Sequence, residues 1–115
     1  MKARERLYDI ENITTPKSVN IDDSLYEKIK ILRKKRYKAE ISDIINVAIE
    51  EYITKGSPTF YGKLENETVT YRNLMLRTNN IDGLNSFNKK TGISFTRLVN
   101  GAIKEFLDDF KDVLK

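Results

Sequence analysis

The sequence of this chain repeats one amphipathic helical pattern at a spacing of fifty-four residues. Between residues 41 and 53, apolar side chains recur at the i, i+3, i+4, i+7 and i+8 positions of a helix that buries one face. Residues 95 to 107 carry apolar side chains at the same seven positions, and Asn46 is matched by Asn100. Two helices with one register and one shared polar residue indicate an internal duplication.

A shorter helical pattern precedes each of these two helices. Its apolar stripe is predicted to consist of Leu25, Ile29 and Leu32 in the first copy, and of Ile81, Leu84 and Phe87 in the second. Ser24 and Glu27 have the spacing of a capping box, so we expect them to cap the first of these helices. In the second copy, Gly92 suits a left-handed helix end and Ser94 suits the N-cap of the next helix.

Each copy begins with a short stretch in which polar and apolar residues alternate, which is typical of a half-buried strand. Val19 and Ile21 in the first copy, and Leu74 and Leu76 in the second, are predicted to face inward. These residues align at an offset of fifty-five, so the copies differ by one residue near the turn between their helices.

The chain is therefore predicted to consist of an N-terminal arm (1–15), a strand–helix–helix module (16–56), a linker (57–69) and a second module (70–115). A single module has open strand edges and an uncovered apolar stripe, so it is not stable alone. Pairing solves both problems, because the two strands form an antiparallel ribbon and the four helices share one core. The expected fold class is mainly α with a short two-stranded antiparallel ribbon, in which the two modules form an intramolecular pseudo-dimer.

Composition narrows the function classes. The chain has no cysteine and no histidine, which excludes disulfides, thiolate zinc sites and imidazole bases, and we expect no enzyme activity, metal or cofactor. It has no long apolar run and no signal-peptide pattern, so we expect a cytoplasmic protein without membrane contact. The net charge is +4, and seven lysines and arginines lie between Lys28 and Lys38 with no acid among them. Such a run is either a solvated helix face or a site for a polyanion.

The two copies resemble the ribbon-helix-helix family of MetJ- and Arc-type DNA-binding repressors. The resemblance is carried by SVNIDDSLYEKIKIL with SDIINVAIEEY, and by NLMLRTNNIDGLNSF with TGISFTRLVNGAIKEF, over about two thirds of the chain. It is closest to the tandem form, in which one polypeptide supplies both halves. The resemblance implies that the ribbon enters the major groove of duplex DNA, where each base pair has a distinct pattern of donors and acceptors.

The resemblance also implies which residues contact DNA. The outward strand residues would contact base edges: Ser18, Asn20, Tyr71, Asn73 and Met75. Pro16 lies at a flanking position. The N-terminus of each second helix would face a phosphate. The matching positions are 40–43 and 94–97, and the basic end of the preceding helix lies next to the first of them. The residues expected to contact phosphate are Lys34, Lys35, Arg36, Lys38, Ser94, Thr96 and Arg97. The first of these two phosphate sites departs from the pattern, because Glu40 stands where the second has Ser94.

These expectations lead to a transcriptional repressor or autoregulator that binds double-stranded DNA. An accessory DNA-binding protein of a plasmid conjugation relaxosome or of a segregation system is an alternative, and so is a helical protein-interaction module without DNA binding. The partners to consider besides DNA are a second copy of the chain on DNA, and a relaxase or other protein.

Overall fold

A computed structural model describes residues 13–36, 38–56, 67–112 and 114 of the chain. Its elements, in chain order, are β1 (Thr14–Asp22), α1 (Asp23–Arg36), α2 (Ile41–Lys55), β2 (Val69–Arg77), α3 (Thr78–Thr91) and α4 (Phe95–Asp108). The order strand–helix–helix occurs twice, and the two strands form one antiparallel sheet. The predicted class, mainly helical with a two-stranded antiparallel ribbon, is confirmed.

Both strands extend further than the alternation in the sequence indicated. Thr14 and Thr15, which were assigned to the arm, pair with β2, and Val69, which was assigned to the linker, pairs with Asp22. Pairing continues there because the backbone groups of both strands can bond beyond the last inward apolar side chain, and threonine and valine favour extended backbone. Most of the predicted arm, residues 1–12, and of the predicted linker, residues 57–66, lie outside the described residues.

The register of the ribbon agrees with the repeat in the sequence. Ser18 lies opposite Asn73, and these two residues are also equivalent at the offset of fifty-five. The pairing is therefore symmetric about Ser18 and Asn73: a residue that follows Ser18 in β1 has its repeat equivalent at the same distance after Asn73 in β2, at the opposite end of the ribbon. The four predicted inward residues are all buried, at 0–3% exposure: Val19, Ile21, Leu74 and Leu76.

The core lies between the ribbon and the four helices, and α2 and α4 contribute most of it. All the predicted apolar positions of these two helices are buried or pack against the core, including the fully buried Ile45, Ile49, Leu98 and Ile103. The stripes predicted for α1 and α3 also face the core, where Phe87 meets Tyr52 edge-on at 6.1 Å between ring centroids. These contacts enclose the inner face of the ribbon, and none of the four helices covers its outer face.

The helix ends confirm two predictions and correct a third. Gly92 ends α3 in the left-handed region (φ 76°), and the Ser94 hydroxyl accepts from the Arg97 N–H at 3.2 Å. The predicted capping box of Ser24 and Glu27 is wrong. Because α1 begins directly at the end of β1, Ser24 lies inside its first turn and donates to Glu67, while Glu27 pairs with Lys30 at 3.0 Å.

A carboxylate at the start of α1 closes one end of the ribbon. The Asp23 N–H donates to the Thr68 carbonyl (2.9 Å), and the Asp23 carboxylate accepts from the hydroxyls of Thr68 (2.5 Å) and Thr70 (2.6 Å). These hydrogen bonds, together with the positive charge of Arg72, hold the pKa of Asp23 below its usual 3.8. The ionised form is therefore the one that the folded protein stabilises.

We expect acid to remove this contribution. A carboxyl whose pKa is lower in the folded state stabilises the fold above its unfolded pKa of 3.8, and this stabilisation is lost as the pH falls through the lower folded pKa. Asp23→Asn should therefore narrow the difference in unfolding midpoint between pH 6 and pH 2.5. Urea titrations of both proteins at the two pH values measure it, and the same pH dependence in both would contradict the assignment.

Candidate nucleic-acid interface

The outer face of the ribbon is an exposed strip of six side chains. Alternate residues of both strands point away from the helices: Pro16, Ser18 and Asn20 on β1, and Tyr71, Asn73 and Met75 on β2. Tyr71 is 70% exposed and Met75 is 44% exposed, although both are large. The structure thus brings all five residues predicted to contact bases onto one surface, together with the flanking Pro16.

The pairing of the strands divides this strip into a centre and two unlike ends. Ser18 and Asn73 face each other at the centre, where the Ser18 hydroxyl approaches Asn73 Oδ1 at 3.5 Å. Asn20 lies opposite Tyr71, and this pair is named the polar end. Pro16 lies opposite Met75, and this pair is named the apolar end.

Two buried asparagines fasten the ribbon to the helices. Asn46 of α2 donates to the Met75 carbonyl and accepts from the Arg77 N–H, both at 2.8 Å. Asn100 of α4 donates to the Asn20 carbonyl (3.0 Å) and accepts from the Asp22 N–H (2.9 Å). Each asparagine therefore binds the strand of the other copy. The sequence paired these two residues but assigned them no role; a polar residue at the same place in two apolar stripes was the available signal.

A buried ion pair strengthens the contact between α2 and β2, and sequence reasoning missed it. Arg77 Nη1 lies 3.0 Å from Glu50 Oε2, and their side chains are 6% and 19% exposed. Asn80 donates to the backbone carbonyl (3.0 Å) and to Oδ1 (3.1 Å) of Asn46 beside it. Strand alternation places Arg77 on the outer face, so no local pattern indicated that α2 would cover it.

The N-terminus of a helix lies beside each end of the outer strip. The Met75 N–H donates to the Ser42 hydroxyl of α2 at 3.1 Å, which places the start of α2 at the apolar end. The Asn100 amide bonds both the Thr96 carbonyl (2.8 Å) and the Asn20 carbonyl (3.0 Å), which places the start of α4 at the polar end. Free N–H groups and the helix dipole make such positions suitable for a phosphate.

The start of α2 adjoins a cationic groove, which we name the α2 groove. It has a volume of about 540 Å³ and is lined by Lys30, Arg33, Lys34, Lys38, Ala39, Glu40 and Ile41. Two of the predicted phosphate residues, Lys34 and Lys38, thus line it, whereas Lys35 and Arg36 are exposed at the end of α1 without lining it. Arg33, which was not among the predicted residues, donates to the Ala39 carbonyl (2.6 Å) and lies 3.7 Å from Glu40 Oε1.

The start of α4 carries the other three predicted phosphate residues. Ser94, Thr96 and Arg97 are all exposed there, and Ser94 caps the helix as described above. At the start of α2, by contrast, Asp43 Oδ2 accepts from the Glu40 N–H at 3.2 Å. Two carboxylates, those of Glu40 and Asp43, therefore lie at the start of α2, and the cations beside it belong to α1 and to Lys38 of the following turn.

A second polar cavity lies between α2 and α4, and no ribbon residue lines it. It measures about 200 Å³, and its polar lining consists of Glu51, Tyr52, Lys55, Glu105 and Asp109. Lys55 pairs with Glu105 at 2.5 Å, while burial, and secondarily the Glu105 charge, raise the pKa of Tyr52 to about 12. The phenol therefore stays protonated near neutral pH.

Two other kinds of feature are absent from the described residues. No group of three or more acidic side chains among them is placed to bind a metal ion. No helix in the described part of the chain is long and apolar enough to cross a membrane.

Comparison with known proteins adds no relative. No protein-family model, no curated protein and no solved structure matches this chain. Function is therefore inferred from the geometry of the ribbon and of the helix ends beside it.

Proposed function

We propose that this chain is a sequence-specific double-stranded-DNA-binding protein that inserts its ribbon into the major groove. The observation that carries the proposal is the exposed outer strip, whose polar and aromatic side chains stand on a ribbon fastened from behind by Asn46 and Asn100. Tyr71 and Met75 are large side chains exposed on the same strip, and exposed apolar surface of this kind is typical of an interaction site.

The shape of the ribbon supports this proposal. The major groove of B-DNA is about 12 Å wide and admits a two-stranded β-ribbon. The register is symmetric about Ser18 and Asn73, and the hydrogen bonds of the two asparagines correspond across it. We therefore infer two ribbon-helix-helix modules that form one intramolecular pseudo-dimer.

The chemistry of the strip supports base contacts. An asparagine amide can bond N6 and N7 of adenine, and apolar side chains can contact the methyl group of thymine. Asn73 and Asn20 offer the amides, and Met75 and Tyr71 offer apolar surface. Because the two ends of the strip differ, the preferred duplex is non-palindromic, and selection of a strictly palindromic site from a random pool would contradict this.

Asn73→Ala tests base contact most directly. We expect it to weaken binding to the selected duplex by about 1–3 kcal/mol, or roughly 5- to 150-fold, because a bidentate base contact is lost. Binding to random duplex should change little, since phosphate contacts remain. Fluorescence anisotropy with both duplexes measures the two affinities. Asn85→Ala, which removes an exposed asparagine on α3, is the matched control.

Equal losses on the selected and the random duplex would contradict base contact by Asn73. Absence of duplex binding even at low salt would refute DNA binding altogether and favour the helical interaction module.

Within DNA binding we propose the role of a transcriptional repressor, and no catalytic role. Occupancy of a conjugation origin or a segregation site instead of a promoter would favour the plasmid accessory role.

A further inference from the structure

Each end of the ribbon has a flank formed by two helices and the turn between them: α1 and α2 at the apolar end, and α3 and α4 at the polar end. The turns of these two flanks are stabilised by different side chains. Near the end of α1, Arg33 Nε donates to the Ala39 carbonyl of the following turn at 2.6 Å. Near the end of α3, Asn88 Nδ2 donates to the Ile93 carbonyl at 2.8 Å. Arg33 and Asn88 are equivalent in the repeat. One flank therefore stabilises its turn with a cation and the other with a neutral amide.

The surrounding charge follows the same division. Seven cations and no acid lie between Lys28 and Lys38, whereas the equivalent stretch from Gly83 to Gly92 contains two cations, Lys89 and Lys90. The start of α4 adds Arg97, and the start of α2 adds the acids Glu40 and Asp43. These two acids reduce the difference in charge between the flanks without abolishing it. Four of the seven cations, on α1 and in the turn that follows it, line the α2 groove.

The side chains on the outer strip are divided in the opposite sense. The α2 groove adjoins the apolar end, where Pro16 and Met75 offer no hydrogen-bond donor from their side chains. The less cationic flank at α4 adjoins the polar end, where Asn20 and Tyr71 can both donate and accept. Charge and hydrogen-bonding capacity are therefore concentrated at opposite ends of one surface.

We propose that the protein binds a duplex in one orientation, in which the two ends of the ribbon make different kinds of contact with DNA. The apolar end is anchored by phosphates that lie in the α2 groove, which extends the contact into the DNA flanking that half of the site. The polar end discriminates between bases. This inference rests on the proposed function, since it assigns the roles of the two halves of the same DNA interface. Phosphate contacts contribute affinity and salt dependence, whereas base contacts contribute sequence choice.

Matched charge removals test the anchor. Lys34→Gln with Lys38→Gln removes two charges from the α2 groove, and Lys89→Gln with Lys90→Gln removes two from the other flank. In plots of log Kd against log salt concentration, the first pair should reduce the slope by about 1.8, because each phosphate contact contributes about 0.9. The second pair should reduce it by less than half as much. Circular dichroism of both variants checks that helix content is unchanged.

An exchange at the equivalent position separates charge from structure. Asn at position 33 can still donate to the Ala39 carbonyl, as Asn88 does to Ile93, so Arg33→Asn should retain stability and lower the salt slope by about 0.9. Asn88→Arg should raise the slope and make the two flanks more alike. An unchanged slope in Arg33→Asn would overturn its part in the anchor.

Truncated duplexes test the orientation. The half-site whose base preference changes in Asn20→Ala is the one at the polar end, so the opposite half-site is the one at the apolar end. Removing flanking base pairs beyond that half should weaken binding roughly tenfold or more, through lost phosphate contacts, and removing them beyond the other half should have a smaller effect. Equal losses on both sides, or a larger loss beyond the polar end, would overturn the proposal while leaving DNA binding intact. Failure to bind any duplex would instead refute the proposed function.

Discussion

Asn46→Ala is expected to lower the free energy of unfolding by about 3–5 kcal/mol, because each buried polar group left without a partner costs about 1–3 kcal/mol. The asparagine is 1% exposed, and its loss would remove the hydrogen bonds to the Met75 carbonyl and from the Arg77 N–H, together with one of the two that the Asn80 amide donates to residue 46. Since small domains are stable by only about 5–15 kcal/mol, the variant should be close to unfolding.

Urea denaturation followed by circular dichroism measures this effect, and Asn100→Ala supplies the internal comparison. Asn100 bonds the strand in the same way, but no side chain equivalent to Asn80 bonds it in the described part of the chain, so its loss should cost less, about 2–4 kcal/mol. Asn85→Ala, on the exposed face of α3, should change stability by no more than about 0.5 kcal/mol. A loss below about 1 kcal/mol in Asn46→Ala would show that the asparagine does not fasten the ribbon.

Arg77→Met is expected to destabilise the fold by about 2–4 kcal/mol, because it removes the cation that pairs with the largely buried carboxylate of Glu50. The value lies toward the lower part of the usual range, since Glu50 retains 19% exposure and water can partly solvate it. The methionine preserves much of the apolar volume of the arginine stem, so the loss should reflect charge rather than packing.

A double-mutant cycle identifies that cause. Glu50→Gln removes the negative charge that Arg77 compensates, so the combination Arg77→Met with Glu50→Gln should be more stable than Arg77→Met alone. Lys104→Met serves as the exposed control, because its ion pair with Asp108 (2.7 Å) lies at the surface, where pairs contribute little. Strictly additive losses for the Arg77 and Glu50 substitutions would show that the two side chains do not interact energetically.

Much of the outer strip could be predicted because strand alternation is a local property. Val19 and Leu74 are buried and Asn20 and Asn73 are exposed simply because successive side chains of a strand point to opposite faces. The same rule is wrong for Arg77, which alternation places outside and α2 covers. The ends of the strands were also underestimated, because backbone pairing at Thr14 and Val69 depends on the partner strand and not on the side-chain pattern.

The candidate phosphate residues could be predicted less completely. Charge density in the sequence identified Lys34 and Lys38, but it could not separate these two from Lys35 and Arg36, which lie on the same helix and do not line the α2 groove. Arg33 was missed because its contribution depends on the turn that brings Ala39 and Glu40 within reach of its guanidinium.

The sequence by itself determined the repeated strand–helix–helix order, the inward faces of its elements and the presence of one asparagine in each apolar stripe. These properties follow from periodicity, which each segment carries independently of its neighbours. Only the tertiary structure decided that each asparagine bonds the strand of the other copy, and that Arg77 is enclosed with Glu50. It also decided which cationic flank adjoins which end of the ribbon. Those contacts join residues at least twenty-seven positions apart, so they depend on how the two copies pack and not on any local pattern.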